Sequence, residues 1–201
     1  VAGVVGSLPT CTTVDGTAFD ATTLAGLVAS GEVTAVELLA LARQRRDAVN
    51  PKLNAVVVPL TEVADARAAD PGLSGPFAGV PFLVKDLAQE YAGFPTTSGS
   101  RALAGDVATD HALVTQRFLD AGLVIFGKTN TPEFGAKGVT EPELFGPARN
   151  PWGLAHTPGG SSGGASSAVA SGISAISHGN DYGGSIRYPA YACGIHGLRP
   201  S

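Results

Sequence analysis

Two glycine-rich segments, Gly159-Gly160-Ser161-Ser162-Gly163-Gly164 and Asp181-Tyr182-Gly183-Gly184-Ser185-Ile186-Arg187, lie in the last third of this 201-residue chain. Each segment places a serine among glycines, which admit strained backbone conformations and let another molecule approach the main chain closely. A serine in such a setting can act as a nucleophile if a base lies within reach. The two segments therefore make Ser161 and Ser185 candidates for serine-based chemistry.

Lys85 is the candidate for that base. It ends the apolar segment Val80-Pro81-Phe82-Leu83-Val84-Lys85, which is typical of a buried strand, and functional groups often lie where strands end. Burial would lower the pKa of the Lys85 amine and leave a neutral group that can accept a proton. The alternative is a solvated lysine at an exposed strand end, which is the commoner environment for this residue type.

The residues after Ser161 predict a helix that begins near Ser162. Small or apolar residues follow at helical spacing, at Ala165, Ala168, Val169 and Gly172. The free N–H groups at the start of such a helix favour developing negative charge, which suits a reactive alcohol. Ordinary N-capping by Ser161 or Ser162 is the alternative.

The segment 180–185 predicts a sharp turn. Successive backbone N–H groups in such a turn can point at one spot and form an oxyanion hole. An ordinary tight turn is the alternative for Gly183-Gly184-Ser185.

Helices and strands alternate through the rest of the sequence, which predicts an α/β layered core. The predicted helices are 21–30 with Asp20 as its cap, 35–48 with Thr34 and Glu37 as a capping box and Asn50-Pro51 as its stop, 62–69, and 111–121. The predicted strands are 54–58, 80–85, 123–126 and 173–176. One domain accounts for the chain, with an N-terminal arm over 1–20, a mainly helical part over 21–70 and an α/β catalytic core over 71–201.

Composition excludes several classes of protein. The hydrophobic content of 44% supports one core, and a net charge of −4 without a basic cluster argues against nucleic acid as a partner. No apolar run approaches the roughly 18 residues of a membrane span, and the first residues lack the basic region of a signal peptide. Two cysteines, Cys11 and Cys193, are too few for a disulfide framework, so we expect a cytoplasmic protein.

Metal ligation is not expected either. The four histidines are scattered without ligand spacing, at His111, His156, His178 and His196. Cys193 is interpreted as a small buried apolar residue.

These segments together resemble the amidase signature family of Ser-Ser-Lys hydrolases. The resemblance spans nearly the whole chain, through Gly31-Glu32-Val33-Thr34, Asn50-Pro51 with Asn54, Gly79-Val80-Pro81 to Lys85-Asp86, Gly127-Lys128-Thr129-Asn130 with Pro132 to Gly135, Asn150-Pro151, and the two serine segments. The combination is far more specific than a single Gly-Gly-Ser.

The resemblance implies a layered α/β/α core with a mixed central sheet, and an amidase that needs neither cofactor nor metal. It implies that Lys85 is the base, that Ser161 is a bridging serine preceded by a cis peptide bond, and that Ser185 is the nucleophile of an acyl-enzyme mechanism. The backbone N–H groups implied for the oxyanion hole are those of Tyr182, Gly183, Gly184 and Ser185. The residues implied to support the two turns are Ser162, Asp181 and Arg187.

The implied substrate is a small-molecule amide, with linear amides as the expected class. Thr129, Asn130 and Glu133 resemble a loop that borders the substrate cleft of the family. Turn-making and helix capping are equally good interpretations of these three residues.

Two features depart from the family pattern. Many members have Thr-Asp-Ile or Thr-Asp-Thr where this chain has Asn180-Asp181-Tyr182, a variant more similar to stand-alone amidases than to the A-type component of amidotransferases. In addition, family members continue well beyond the signature, so we expect a chain truncated on its C-terminal side.

That expectation keeps three alternatives open. The chain could be a catalytically inactive fragment, half of a split amidase completed by a C-terminal segment, or an A-type component of an amidotransferase. The sequence is also compatible with a homo-oligomer. A nucleotide-binding module is disfavoured, because the glycine-rich turns lack the Gly-Lys-Ser/Thr end of a P-loop.

Overall fold

A computed structural model describes residues 13–14 and 17–200. Six α-helices lie in these residues, α1 (Ala21–Ser30), α2 (Ala35–Leu53), α3 (Thr61–Ala68), α4 (Leu113–Asp120), α5 (Gly163–Ala170) and α6 (Arg187–Cys193). The strands are β1 (Thr13–Val14), β2 (Thr17–Ala18), β3 (Val56–Pro59), β4 (Pro81–Lys85) and β5 (Val124–Thr129). Short 3-10 turns span Arg101–Leu103 and Glu133–Gly135. Cys11 and most of the predicted N-terminal arm lie outside the described residues.

The first two helices begin at the predicted caps. Asp20 accepts a hydrogen bond from the Thr23 N–H at 2.7 Å, and α1 ends at Gly31, whose φ of 75° is in the left-handed region. At the start of α2, Thr34 and Glu37 exchange hydrogen bonds as a capping box, with each side chain bonded to the other residue's backbone N–H. These local side-chain bonds explain why both helix starts could be predicted.

The predicted stop of α2 at Asn50-Pro51 is wrong, because the helix continues to Leu53. Pro51 is tolerated in the last turn, and left-handed Asn54 ends the helix. The Asn50 side chain shapes the following turn, since its Oδ1 accepts hydrogen bonds from the N–H groups of Ala55 and Val56 at 2.8 and 2.9 Å. Asn50 therefore directs the chain from α2 into β3 and does not terminate the helix.

The central sheet is mixed and contains three strands in the order β3-β5-β4. β5 runs antiparallel to β3 and parallel to β4. Because β4 and β5 are parallel, their carboxyl ends, at Lys85 and Thr129, lie side by side. The chemistry predicted for Lys85 is therefore located at this edge of the sheet.

Two core clusters cover the two faces of the sheet. The first packs α2, α3 and α5 against Leu83, Val124 and Phe126. The second packs α1 and part of α4 against alternate strand residues, among them Phe82 and Ile125. Successive side chains of a strand point to opposite faces, so this division produces the predicted α/β/α layering.

The predicted strand over 173–176 is wrong. Within the described residues, this part of the chain pairs with the sheet only through an isolated parallel bridge between Ser177 and Leu83. Ile173 is nevertheless completely buried in the first cluster. The alternating apolar residues of 173–176 thus reflect the burial of single side chains. A strand would also require a neighbouring strand to pair with along its length. Helix α6, which follows directly after the second glycine-rich segment, was not predicted from the sequence.

Among the described residues, no helix combines the length and the apolar character that a membrane span requires.

Candidate active site

Lys85 is the last residue of β4 and is completely buried, as are the other four residues of that strand. Removal from water disfavours the ammonium form and lowers the pKa of Lys85 to about 7, although the negative charge of Asp181 acts in the opposite direction. A large fraction of the molecules therefore carries a neutral amine near pH 7. The alternative interpretation, a solvated lysine at a strand end, is wrong.

Two side-chain oxygens contact the Lys85 amine. Its Nζ atom lies 2.6 Å from Ser161 Oγ and 2.6 Å from Asn180 Oδ1. Ser161 is only 2% exposed, so the contact with Lys85 is shielded from water. Hydrogen bonds are electrostatically stronger in such an environment than in solvent. A neutral Lys85 amine at this distance can accept the proton of the Ser161 hydroxyl.

Ser161 follows a cis peptide bond, and its side chain lies close to the backbone of Gly135. The peptide bond between Gly160 and Ser161 is cis. Gly135, with a φ of 68°, passes so close that a Cβ atom there would lie 3.3 Å from Ser161 Oγ and 2.7 Å from a methyl group of Leu87. A glycine at position 135 therefore preserves the space that the Ser161 side chain occupies.

Ser185 lies on the turn next to the Ser161 segment and is half-buried. The Ser162 N–H donates to the Ser185 carbonyl at 3.1 Å, and the Ser162 hydroxyl donates to the Asn180 carbonyl at 3.4 Å. Ser162 thereby joins the two glycine-rich segments. Its side chain makes no capping hydrogen bond to α5, although Ser162 is the N-cap residue of that helix. The N-capping interpretation is therefore wrong for Ser162.

The Asp181 carboxylate organises the second glycine-rich segment. It accepts hydrogen bonds from the N–H groups of Gly184, Ile186 and Arg187 at 2.7, 3.0 and 3.2 Å. The Arg187 guanidinium adds two contacts at 3.0 Å, one to each carboxylate oxygen. These bonds, led by the one from Arg187, hold the pKa of Asp181 well below its usual range. Asp181 is consequently ionised and fixes the turn that carries Ser185.

The candidate oxyanion-hole amides differ in how they are bonded. Among the described residues, the N–H groups of Tyr182, Gly183 and Ser185 have no hydrogen-bond acceptor, whereas the Gly184 N–H donates to Asp181. The Tyr182 side chain is fully exposed. Three of the four predicted N–H groups thus have no acceptor within the described residues, whereas the Gly184 N–H is used by the turn itself.

Lys128 belongs to a second buried polar cluster beside Lys85, which was not predicted from the sequence. Its Nζ atom lies 3.4 Å from an Asp86 oxygen and donates to the Pro95 carbonyl at 2.7 Å and to the Thr96 hydroxyl. Burial raises the pKa of Asp86 and lowers that of Lys128. Lys128 ends an apolar segment just as Lys85 does, and this pattern could have identified Lys128 in the sequence as a second buried lysine.

From the sequence, Asn180 was predicted only as part of the turn over 180–185 and as a departure from the family pattern. Its contact with Lys85 joins residues 95 positions apart, so no local pattern could have found it.

The loop after β5 makes structural contacts. The Asn130 amide donates to the carbonyls of Asn54 and Gly146, both at 3.1 Å, and Glu133 accepts a hydrogen bond from the Ser100 hydroxyl at 2.6 Å. Thr129 is completely buried at the end of β5. These contacts agree with the turn-making interpretation for Asn130 and Glu133, whereas Thr129 is a strand residue.

The histidines and Cys193 form no cluster. Within the described part of the chain, no three His, Cys, Asp or Glu side chains lie close enough to share a metal ion. His178 packs against the Phe118 ring, and burial lowers its pKa to about 4. Burial raises the pKa of the Cys193 thiol to about 12, as expected for a small buried apolar residue.

Known proteins are similar to this chain in sequence and in fold. A 6-aminohexanoate-cyclic-dimer hydrolase of Paenarthrobacter ureafaciens is 48% identical over 184 residues, which cover 90% of this chain and 37% of the relative. An acylamidase of Rhodococcus erythropolis is 44% identical over 188 residues, which cover 90% of this chain and 39% of the relative. The solved structure of 6-aminohexanoate cyclic dimer hydrolase complexed with substrate matches with a TM-score of 0.83 and 47% identity, covering 87% of this chain and 36% of that one.

The chain therefore spans a little over a third of the length of these relatives. The family model described as Amidase matches residues 37–201, a range that contains Lys85 and both glycine-rich segments. The sequence match and the shared α/β fold lead to one assignment: the chain belongs to the amidase signature family.

Proposed function

We propose that the chain carries the catalytic residues of an amidase, which hydrolyses a carboxamide to a carboxylate and an amine or ammonia. The observation that supports this function most directly is the 2.6 Å contact between the buried Lys85 amine and Ser161 Oγ. Ser162 links the Ser161 segment to the turn that carries Ser185. A base, a bridging hydroxyl and a second serine on the adjoining turn are the parts that a proton relay requires.

In the acylation step, Ser185 Oγ forms a bond to the carbonyl carbon of the substrate. The Ser185 proton passes to Ser161 Oγ, and the Ser161 proton passes to neutral Lys85. In this proposal, the N–H groups of Tyr182, Gly183 and Ser185 stabilise the negative charge that develops on the carbonyl oxygen, and the absence of another acceptor for them within the described residues supports that role. One such donor is worth about 3 to 4 kcal/mol in other hydrolases.

The same relay completes the reaction in reverse. The proton returns from Lys85 through Ser161 to the nitrogen of the leaving group as the C–N bond breaks, which leaves an ester between the acyl group and Ser185. Water then attacks this ester and gives one proton to the relay, which returns it to Ser185 Oγ as the ester bond breaks. The carboxylic acid that forms loses its proton to solvent and leaves as the carboxylate. These steps use side chains of the chain and water, and they need no cofactor.

For the substrate, we propose a small-molecule carboxamide. The sequence favours linear amides, whereas the name of one relative specifies a cyclic dimer. Tyr182, whose N–H belongs to the proposed oxyanion site, has a fully exposed side chain. A linear amide and the cyclic dimer of 6-aminohexanoate are therefore the two substrates to compare.

Release of amine from these substrates by the purified chain tests the proposal, with Ser185→Ala as the inactive variant. We expect hydrolysis of the linear amide to fall roughly 10³-fold or more in Ser185→Ala. Ser177→Ala is the matched control, because Ser177 hydrogen-bonds the Leu83 carbonyl and lies outside the proposed relay. Equal turnover by wild type and Ser185→Ala would refute the proposed nucleophile.

A second candidate is a chain that carries these residues without activity of its own, as a fragment or as half of a split enzyme. One observation in favour of this candidate is the length of the match, because the chain covers only 37% of the cyclic-dimer hydrolase. The candidate is also favoured by an open groove of about 580 Å³ whose walls include Phe82, Phe118, Ala165, Val169, Ile176 and Ile195. A folded chain without turnover would support this candidate.

The amidotransferase alternative rests on similarity to the A component of a glutamyl-tRNA(Gln) amidotransferase of Acidothermus cellulolyticus, which is 43% identical over 185 residues. It makes a different prediction about the substrate. Under this alternative, free glutamine would be hydrolysed in preference to an uncharged linear amide. Comparing ammonia release from glutamine and from hexanamide distinguishes the two.

A further inference from the structure

Asn180 connects the Lys85 amine to the backbone that follows β4. Its Oδ1 atom lies 2.6 Å from Lys85 Nζ, and its Nδ2 atom donates to the Leu87 carbonyl at 3.2 Å. Lys85 and Leu87 lie two residues apart, so one amide group spans the end of the strand and the start of the loop.

The two contacts determine which way the Asn180 amide points. A backbone carbonyl can only accept a hydrogen bond, so the Asn180 NH₂ group must face Leu87. The amide oxygen then faces Lys85, and this oxygen can also only accept. An N–H of Lys85 must therefore point at Asn180, whatever the protonation state of the amine.

We propose that Asn180 is a positioning residue, which turns the lone pair of the neutral Lys85 amine towards the Ser161 hydroxyl. A neutral amine has two N–H bonds and one lone pair. Because Asn180 can engage only an N–H, the lone pair is left for the other contacting oxygen, Ser161 Oγ at 2.6 Å. This inference rests on the proposed function, since the lone pair matters only if Lys85 takes a proton from Ser161.

The charged groups around Lys85 do not perform this task. Asp181 is engaged by Arg187 and by three backbone N–H groups, and its charge raises the pKa of Lys85. His178 is buried, and burial together with the Lys85 charge lowers its pKa to about 4, so it is neutral near pH 7. Asp86 is paired with Lys128. Asn180 is the neutral acceptor in direct contact with the amine.

The titration of Lys85 can be followed without any enzymatic activity. The chain contains only four lysines, Lys52, Lys85, Lys128 and Lys137, so ¹³C labelling of the lysine Cε atoms gives an NMR spectrum that single lysine substitutions can assign. The second measurement is the rate at which a fluorophosphonate modifies the chain as a function of pH. Both use the full chain and its Asn180→Leu, Asn180→Asp and Asn180→Thr variants.

Asn180→Leu keeps the side-chain volume and removes the acceptor. We expect its fluorophosphonate rate at the high-pH plateau to fall at least tenfold, and the Lys85 midpoint to move to lower pH because the ammonium form loses a hydrogen bond. Asn180→Asp places a negative charge against the amine, so both the Lys85 midpoint and the pH at which labelling begins should rise by about one unit or more. Asn180→Thr retains an acceptor oxygen and should react faster than Asn180→Leu.

Asn54→Leu is the matched control, because Asn54 also donates to backbone carbonyls, among them that of Phe145, and it has no contact with Lys85. Circular dichroism of each variant establishes that it is folded. If Asn180→Leu labels at the wild-type rate with an unchanged Lys85 midpoint, the positioning role is wrong. If wild type itself takes no label, the proposed function fails, while the NMR midpoints of Asn180→Asp and Asn180→Leu still report whether Asn180 contacts the amine.

Discussion

Lys85 occupies a position in which the charged form of its amine is disfavoured by the fold. Its pKa is about 7 in the folded chain, against an ordinary value of 10.5. Between these two pH values the unfolded chain binds more protons at this site than the folded chain. The free energy of unfolding contributed by this group therefore rises as the pH rises from about 7 towards 10.5.

Lys85→Met removes that contribution, which gives a prediction about stability. Relative to Lys85→Met, the wild type should gain about 1.4 kcal/mol of unfolding free energy for each pH unit between pH 7.5 and 9.5. Urea denaturation at several pH values measures the difference. Lys137→Met, at an exposed lysine, is the control for replacing a lysine by methionine at the surface. A constant difference between wild type and Lys85→Met would mean that Lys85 is not desolvated.

The burial of Lys85 could be suspected from the sequence but not established there. An apolar segment that ends in lysine describes both a buried and a solvated strand end, and only the layers packed on both faces of β4 decide between them. Lys128 ends a similar segment, yet its partner is Asp86 and not a serine. The chemistry of each lysine is thus set by tertiary contacts.

Helices and strands differ in how much of their structure is encoded locally. The starts of α1 and α2 were predicted, because Asp20 and the pair Thr34 and Glu37 act within one helical turn. The strand predicted over 173–176 failed, because a strand depends on a partner elsewhere in the chain. The Asn50-Pro51 stop failed because the Asn50 side chain bonds residues beyond the helix.

The start of α5 makes the closest packing contact near the site and provides a test at this scale. A Cβ atom at Gly164 would overlap with backbone atoms of Asn130 and Ala55, which belong to the framework of the sheet and cannot rotate away. We expect Gly164→Ala to destabilise the chain by about 1 to 3 kcal/mol in chemical denaturation.

Gly26→Ala is the comparison, since Gly26 lies inside α1 with open space around its Cα. This substitution should stabilise the chain by about 0.5 to 1 kcal/mol through helix propensity. Equal effects of Gly26→Ala and Gly164→Ala would show that α5 does not pack as closely as described.

For the whole molecule, α2 connects the two core clusters, because Leu38 belongs to the second cluster and Leu39 to the first. Both clusters also share the central sheet. The described residues should therefore unfold as one cooperative unit, which would test the prediction of a single domain.

Leu24→Ala tests this cooperativity from one side of the molecule. Leu24 is 1% exposed in the second cluster, so its truncation should cost about 2 to 5 kcal/mol. The single tryptophan, Trp152, hydrogen-bonds the Cys193 carbonyl at 2.7 Å next to α6 and reports on a different region. Its fluorescence and the circular dichroism should shift to the same lower denaturation midpoint. A fluorescence transition that does not move would indicate two independent units.

We propose that Lys85, Ser161 and Ser185 form a working relay within this chain. The most direct measurement is fluorophosphonate labelling at pH 8, followed by peptide mass spectrometry, on the wild type and on Lys85→Met. We predict an adduct on Ser185 in the wild type and a loss of at least roughly 100-fold in labelling rate in Lys85→Met. An adduct on another serine, a rate that does not depend on Lys85, or a folded wild-type chain that takes no label would contradict the claim.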